Sequence, residues 1–166
     1  HLSLKVIGLQ EHDEVIIPTN TFTATGEVIT YFKAKPVLID CKKSDFNIDE
    51  NKIESKITDK TKAIMPVHFA GNSCEMKVIK EICTRYDLKL IEDAAHALTS
   101  QYQGELIGNL GDITCFSFYA TKNITTGEGG MAVTSNPVYA QKIRLLSLHG
   151  INADAWNRYV EKGSWF

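Results

Sequence analysis

The stretch that decides the fold is CEMKVIKEICTRYDLKLIED, residues 74–93. Its first part carries Met76, Ile79 and Cys83 at three- and four-residue spacing, which is typical of a helix with one buried face. Its second part, residues 88–93, is an apolar run that ends in a carboxylate and predicts a buried strand. A helix that leads directly into a buried strand is the repeating unit of an α/β domain.

The same alternation continues on both sides of this stretch. Further strands are predicted over residues 15–18, 37–40, 63–68, 114–119 and 130–134. Further helices are predicted over residues 1–9, 23–33 and 136–149, with a short helix opening near Asp49 and a hairpin turn at 102–105. Alternating strands and helices with short connections predict a mainly parallel sheet flanked by helices, a three-layer αβα domain.

Ligands of such sheets bind beyond the carboxyl ends of the strands. Polar residues fall at these positions in five places: Thr19, Thr21, His68, Asp93 and Ser117. The edge of the sheet where these residues lie is therefore the predicted site.

The composition narrows the class of protein. The chain has 166 residues, of which 43% are hydrophobic and 23% charged, with a net charge of −2. These values are typical of a globular domain and argue against a nucleic-acid or membrane partner. Four cysteines show neither a CxxC pair nor zinc spacing, so we expect buried thiols in a reducing, cytoplasmic compartment.

Lys122 and Asp93 are the sharpest candidates for chemistry. Lys122 stands between an apolar strand and the glycine cluster at 127–130, whereas a lysine on a solvated loop is the alternative. Asp93 ends an apolar strand, and an acid that caps a turn would look the same. A lysine that forms a Schiff base and an acid that pairs with a pyridinium nitrogen are the two groups that a pyridoxal phosphate (PLP) site needs.

Three further residues suit such a site. Ser117 can donate a hydrogen bond to a phosphate, His96 can contact a cofactor ring, and Phe22 can cover one face of it. Each also has an ordinary alternative, as a strand serine, a core histidine and a core phenylalanine. The acids and histidines of this region lack the spacing of a metal site, so no metal is predicted.

Residues 154–159 mix aromatic side chains with an arginine. Trp156 and Tyr159 can contact a base or sugar, and Arg158 can pair with a diphosphate, which predicts a weak substrate site. A surface loop is the alternative for this segment.

Five blocks of the chain, in this order, resemble the DegT/StrS family of PLP-dependent sugar aminotransferases. They are EVIIPTNTF at 14–22, KAIMPVHFAG at 62–71, IEDAAHA at 91–97, GDITCFSFYATKNI at 111–124 and EGG at 128–130. The resemblance implies an incomplete large domain of the type I PLP-dependent aminotransferase fold over residues 1–166. We expect this domain to be truncated at both ends, to lack the small carboxyl-terminal domain and to be inactive alone.

The resemblance also implies a role for each candidate. Lys122 matches the lysine that binds PLP covalently, Asp93 the partner of the pyridine nitrogen and Ser117 a phosphate ligand, with His96 and Phe22 beside the ring. The implied enzyme is a homodimer that transfers an amino group from L-glutamate to a nucleotide-linked keto sugar. Residues 149–159 look most like members that aminate UDP-linked 4-keto sugars for envelope polysaccharide or lipid A.

Two alternatives stay open at the level of the sequence. One is a family member that binds PLP as a sensor or regulator without transaminase activity. The other is an unrelated α/β ligand-binding or hydrolase domain, although the chain lacks the GxSxG motif of the commonest hydrolases.

Overall fold

A computed structural model of the chain describes residues 1–150. Its helices are α1 (Leu2–Val6), α2 (Thr23–Thr30), α3 (Met76–Tyr86) and α4 (Pro137–Ser147). Its strands are β1 (Glu14–Pro18), β2 (Lys35–Ile39), β3 (Thr61–Ile64), β4 (Lys89–Asp93), β5 (Gln101–Tyr102), β6 (Glu105–Leu106), β7 (Ile113–Ser117) and β8 (Gly130–Val133). No helix in this range is long and apolar enough to cross a membrane.

Six strands form one sheet in the order β2-β1-β3-β4-β7-β8. Every neighbouring pair is parallel except β7 and β8, which are antiparallel. The prediction of a mainly parallel sheet is therefore confirmed. The remaining strands, β5 and β6, form a separate hairpin whose turn residues, Gln103 and Gly104, both have positive φ. Because β1, β3, β4 and β7 run in one direction, their carboxyl ends meet at one edge.

The hydrophobic core lies on both faces of this sheet. Side chains alternate between the faces along a strand, so Leu90 of β4 belongs to one cluster and the adjacent Ile91 to the other. The first cluster packs under α3, and the second packs under α1, α2 and α4. The predicted three layers, helix on sheet on helix, are confirmed.

Two predicted elements differ in the structure. The short helix near Asp49 is a pair of 3₁₀ turns, Glu50–Lys52 and Glu54–Lys56, and Asp49 caps the first by accepting a hydrogen bond from the Asn51 backbone N–H. The strand predicted over residues 63–68 ends at Ile64. Pro66 has no N–H to donate to a neighbouring strand, and the chain beyond it turns through Ala70, whose φ is +51°.

The cysteines pack as small apolar side chains. Cys74 and Cys83 are buried, Cys41 and Cys115 are half-buried, and none of the four forms a disulfide within the described residues. Burial raises the pKa of the Cys74 and Cys83 thiols to about 12. These two thiols are therefore unreactive at neutral pH.

Buried carboxylates make the stability of the fold sensitive to acid. Glu14 of β1 accepts hydrogen bonds from Thr58 (2.7 Å) and Lys35 (3.0 Å), and both lower its pKa below the ordinary value of 4.5. A lowered folded-state pKa contributes stability in full above the unfolded value, and the contribution is lost as the pH falls through the folded value. We therefore expect the urea midpoint to be flat near neutrality and to fall below about pH 4.5.

Glu14→Gln tests whether Glu14 causes this loss of stability in acid. Glutamine does not titrate. The urea midpoint of the variant should therefore fall less steeply between about pH 4.5 and about pH 3 than that of the unmodified chain. Equal slopes for the two proteins would contradict a contribution from Glu14.

Candidate active site

A cavity of about 750 Å³ opens at the carboxyl edge of the sheet. Its lining contains all five residues that the sequence predicts for a cofactor site within the described range: Phe22, Asp93, His96, Ser117 and Lys122. They come from the start of α2, the ends of β4 and β7 and the loops after these strands. The parallel topology brings these distant segments to one place.

Asp93 is the last residue of β4 and is half-buried. Its Oδ1 atom accepts a hydrogen bond from the Ala95 backbone N–H (3.1 Å), and its Oδ2 atom accepts one from the Thr25 hydroxyl (2.8 Å). No salt bridge involves this carboxylate within residues 1–150. The two hydrogen bonds fix the position of this side chain at the cavity.

Thr25 is a site residue that the sequence analysis did not identify. It lies in the first turn of α2, is only 4% exposed and also accepts a hydrogen bond from the Thr21 hydroxyl (2.6 Å). Both threonines line the cavity. Thr21 precedes α2 by two residues, so no helical spacing in the sequence links the two threonines.

Lys122 lies in the loop after β7 and is half-buried. Its Nζ atom is 2.9 Å from the Nε2 atom of His96. One of these two nitrogens donates and the other accepts; an accepting Nε2 atom places the His96 proton on Nδ1. The pair places a primary amine beside a polar acceptor at the wall of the cavity. His96 is exposed, so the core alternative for this histidine is wrong.

Phe22 is also outside the core. Its side chain is 79% exposed at the start of α2, although it lines the cavity. An aromatic ring left in solvent beside a cavity has a free face for a planar ligand. Ser117 is half-buried at the end of β7, where its Oγ atom accepts a hydrogen bond from the Tyr119 backbone N–H (3.3 Å). The hydroxyl hydrogen of Ser117 remains able to donate to a ligand.

The glycine cluster forms a tight turn that brings Glu128 to the cavity lining. Gly127 has a φ of +79°. A Cβ atom on Gly129 would lie 2.4 Å from the Thr126 hydroxyl oxygen, so a larger residue there would displace the Thr126 side chain. The sequence analysis did not identify Glu128.

His68 belongs to the core rather than to the ligand side of the sheet edge. Its Nε2 atom is 2.9 Å from the Oε2 atom of Glu92, and its Nδ1 atom accepts a hydrogen bond from the Cys74 backbone N–H (3.1 Å). Glu92 also accepts hydrogen bonds from the Thr114 hydroxyl (2.6 Å) and the Gly111 N–H (2.8 Å).

This buried network sets the charge of Glu92. Burial favours the protonated form, but hydrogen bonds from His68 and Thr114 outweigh it and lower the pKa of the Glu92 carboxyl. The histidine uses Nδ1 as an acceptor and donates from Nε2, so it is neutral. The side chains of Glu92 and His68 therefore have all their hydrogen-bond partners within the core. Glu92 directly precedes Asp93 in the chain.

The proposed substrate contacts Trp156, Arg158 and Tyr159 lie outside the described residues. Within the described residues, no three histidine, cysteine, aspartate or glutamate side chains are grouped so as to hold a metal ion.

Comparison with known proteins gives the cavity a context. SpsC, a spore coat polysaccharide biosynthesis protein of Bacillus subtilis, is 48% identical over 165 residues, 99% of this chain and 42% of SpsC. GDP-perosamine synthase of Caulobacter vibrioides is 47% identical over 152 residues, 92% of this chain and 41% of that enzyme. The chain thus spans less than half the length of these relatives.

A solved structure shows the same fold. The PMP form of Spr1654, a proposed sugar aminotransferase of Streptococcus pneumoniae, matches with a TM-score of 0.87 at 37% identity. The match covers 99% of this chain and 46% of that one. The fold is therefore that of a PLP-dependent aminotransferase. A family model described as the DegT/DnrJ/EryC1/StrS aminotransferase family matches residues 1–164, and the chain belongs to that family.

Proposed function

We propose that the protein is a PLP-dependent aminotransferase that moves an amino group from L-glutamate to a nucleotide-linked keto sugar. The observation that carries this proposal is the position of Lys122. Among residues 1–150 it is the only lysine that lines the cavity, and it shares that lining with the carboxylate of Asp93. Family membership supports the same reaction class.

The donor set of the cavity fits PLP group by group. Lys122 offers an amine for the aldehyde, Asp93 a carboxylate for the pyridine nitrogen and Ser117 a hydroxyl for the phosphate. Phe22 and His96 offer ring faces for a planar heterocycle. When bound, PLP supplies an aldehyde that captures amines and an electron-withdrawing ring that acidifies the neighbouring C–H bond.

The residues of the chain then have distinct tasks. Lys122 would hold the cofactor through its Nζ atom, and this nitrogen, once free, would accept and return a proton as the general base and acid. His96 keeps this nitrogen within hydrogen-bond distance, at 2.9 Å. Asp93 is oriented by its two hydrogen-bond donors and would pair with a protonated pyridine nitrogen.

The substrate is proposed to be a UDP-linked 4-keto sugar for cell-surface polysaccharide or lipid A. The names of SpsC and GDP-perosamine synthase support a sugar of this general class. Trp156, Arg158 and Tyr159 are proposed to contact the sugar nucleotide. We further propose that residues 1–166 are the large domain of a longer cytoplasmic homodimer, and that this domain is inactive alone.

Borohydride reduction of the full-length protein in the presence of PLP tests the proposal. The reduction should leave one stable pyridoxyl group on Lys122, located by mass spectrometry of its peptide. Exposed lysines such as Lys77 serve as internal controls, because they should be labelled only in trace amounts. No adduct, or an adduct scattered over surface lysines, would refute a PLP site. An adduct on Lys122 without amine transfer to any keto sugar would instead favour a regulatory protein.

A further inference from the structure

Two hydroxyl groups and a carboxylate form a continuous chain of hydrogen bonds at the cavity wall. The Thr21 and Thr25 hydroxyl oxygens are 2.6 Å apart, and the Thr25 oxygen is 2.8 Å from the Oδ2 atom of Asp93. Thr25 and Asp93 are separated by 68 positions in the sequence, so α2 and β4 are joined through this contact.

The direction of each hydrogen bond follows from the number of protons. An ionised carboxylate can only accept, so the one hydroxyl hydrogen of Thr25 is directed at Asp93. Thr25 must then accept from Thr21, whose single hydrogen is used at 2.6 Å in preference to the Phe22 carbonyl oxygen at 3.3 Å. The chain is therefore polarised from Thr21 through Thr25 to Asp93.

This polarised chain determines which way the Asp93 carboxylate faces. The Ala95 N–H anchors Oδ1 from the chain that follows β4, whereas Oδ2 is anchored only by Thr25 among residues 1–150. Thr25 is 4% exposed, so bulk water has little access with which to replace its hydroxyl. Without that anchor, rotation about the side-chain bonds of Asp93 is restricted at one oxygen instead of two.

We propose that Thr25 is a positioning residue that holds Asp93 in the orientation required by the pyridine nitrogen of PLP, with Thr21 holding Thr25 in turn. This role rests on the proposed function. Thr25 does not itself contact the reacting atoms in this scheme; its effect reaches the cofactor through Asp93.

The test is the equilibrium binding of PLP to the full-length protein, followed by the absorbance of the bound cofactor. Thr25→Val keeps the size of the side chain and removes the hydroxyl, and we expect it to weaken PLP binding about tenfold, the loss expected for one hydrogen bond to a charged group. Thr25→Ser restores the hydroxyl and should bind within about twofold of the unmodified protein. Thr21→Val should give an intermediate loss.

Thr23→Val is the matched control, because Thr23 is exposed on the same turn of α2 and does not line the cavity. Thermal unfolding of each PLP-free variant separates positioning from folding, and the half-buried Thr21 provides a second variant if Thr25→Val does not fold. Unchanged binding by both Thr25→Val and Thr21→Val would overturn the inference. So would a Thr25→Ser variant as weak as Thr25→Val, since packing of the methyl group would then be the cause.

The same measurements distinguish this role from the proposed function. If the unmodified protein takes up no PLP, both fail. If it takes up PLP on Lys122 and the threonine variants bind as well as it does, only the positioning role fails.

Discussion

Lys122→Ala is expected to abolish the proposed amine transfer from glutamate to a keto sugar. Loss of a positioned general base and acid alone lowers a rate by about 10²–10⁴-fold, and the variant also loses the amine that holds the cofactor. Single-turnover absorbance of the PLP-loaded full-length protein mixed with glutamate measures the loss. Borohydride should then leave no pyridoxyl group at position 122.

Two further variants test whether the loss of activity comes from the missing amine of Lys122. Lys122→Arg keeps the positive charge but replaces the amine with a guanidinium that stays protonated, so we expect it to be as inactive as Lys122→Ala. Lys77→Ala removes an exposed lysine from α3 and should retain full activity. Substantial activity in both Lys122 variants would mean that another group carries the proton.

Glu92→Ala is expected to lower the free energy of unfolding by about 3 kcal/mol or more, because several donors lose their acceptor and each unsatisfied buried polar group costs about 1–3 kcal/mol. Glu92 and His68 are both fully buried. The substitution leaves the Nε2–H of His68, the Thr114 hydroxyl and the Gly111 N–H without their acceptor in an apolar interior. Urea unfolding at neutral pH measures the change.

The matched control for this variant is Glu105→Gln. Glu105 is exposed in β6, and its substitution should change the free energy of unfolding by no more than about 0.5 kcal/mol. His68→Leu combined with Glu92→Leu still leaves the Thr114 hydroxyl and the Gly111 and Cys74 N–H groups without acceptors, so we expect a loss of similar size to that of Glu92→Ala. A loss below about 1 kcal/mol for Glu92→Ala would show that the network contributes little stability.

Much of the fold follows from patterns that are local in the chain. The apolar run at residues 88–93 and the helical spacing before it predict β4 and α3. A buried strand is a short continuous apolar run, whereas a helix with one buried face repeats its apolar residues every three or four positions. The predicted end of one strand was wrong, because the apolar pattern does not show where the regular strand ends. Residues 63–68 look apolar throughout, yet the regular strand ends at Ile64, and beyond it only single hydrogen bonds to the neighbouring strands remain on either side of Pro66.

The location of the candidate site was predictable from the parallel topology of the sheet. Asp93 and Ser117 end neighbouring parallel strands, so their proximity at one edge follows once the strands are parallel. The environment of each side chain did not follow. Phe22 had a core alternative in the sequence, and His68 was expected at the ligand edge of the sheet. Packing instead leaves the phenylalanine at the cavity and the histidine in the core.

The sequence by itself determined the order of strands and helices, the family and the residues able to bind a cofactor, because periodicity and short motifs are encoded by neighbouring residues. Only the tertiary structure decided which distant groups meet: Thr25 with Asp93, Lys122 with His96 and His68 with Glu92. Each of these contacts joins segments separated by 24 to 68 positions. Their geometry depends on how helices and loops pack on the sheet, a property of the whole fold that no local pattern specifies.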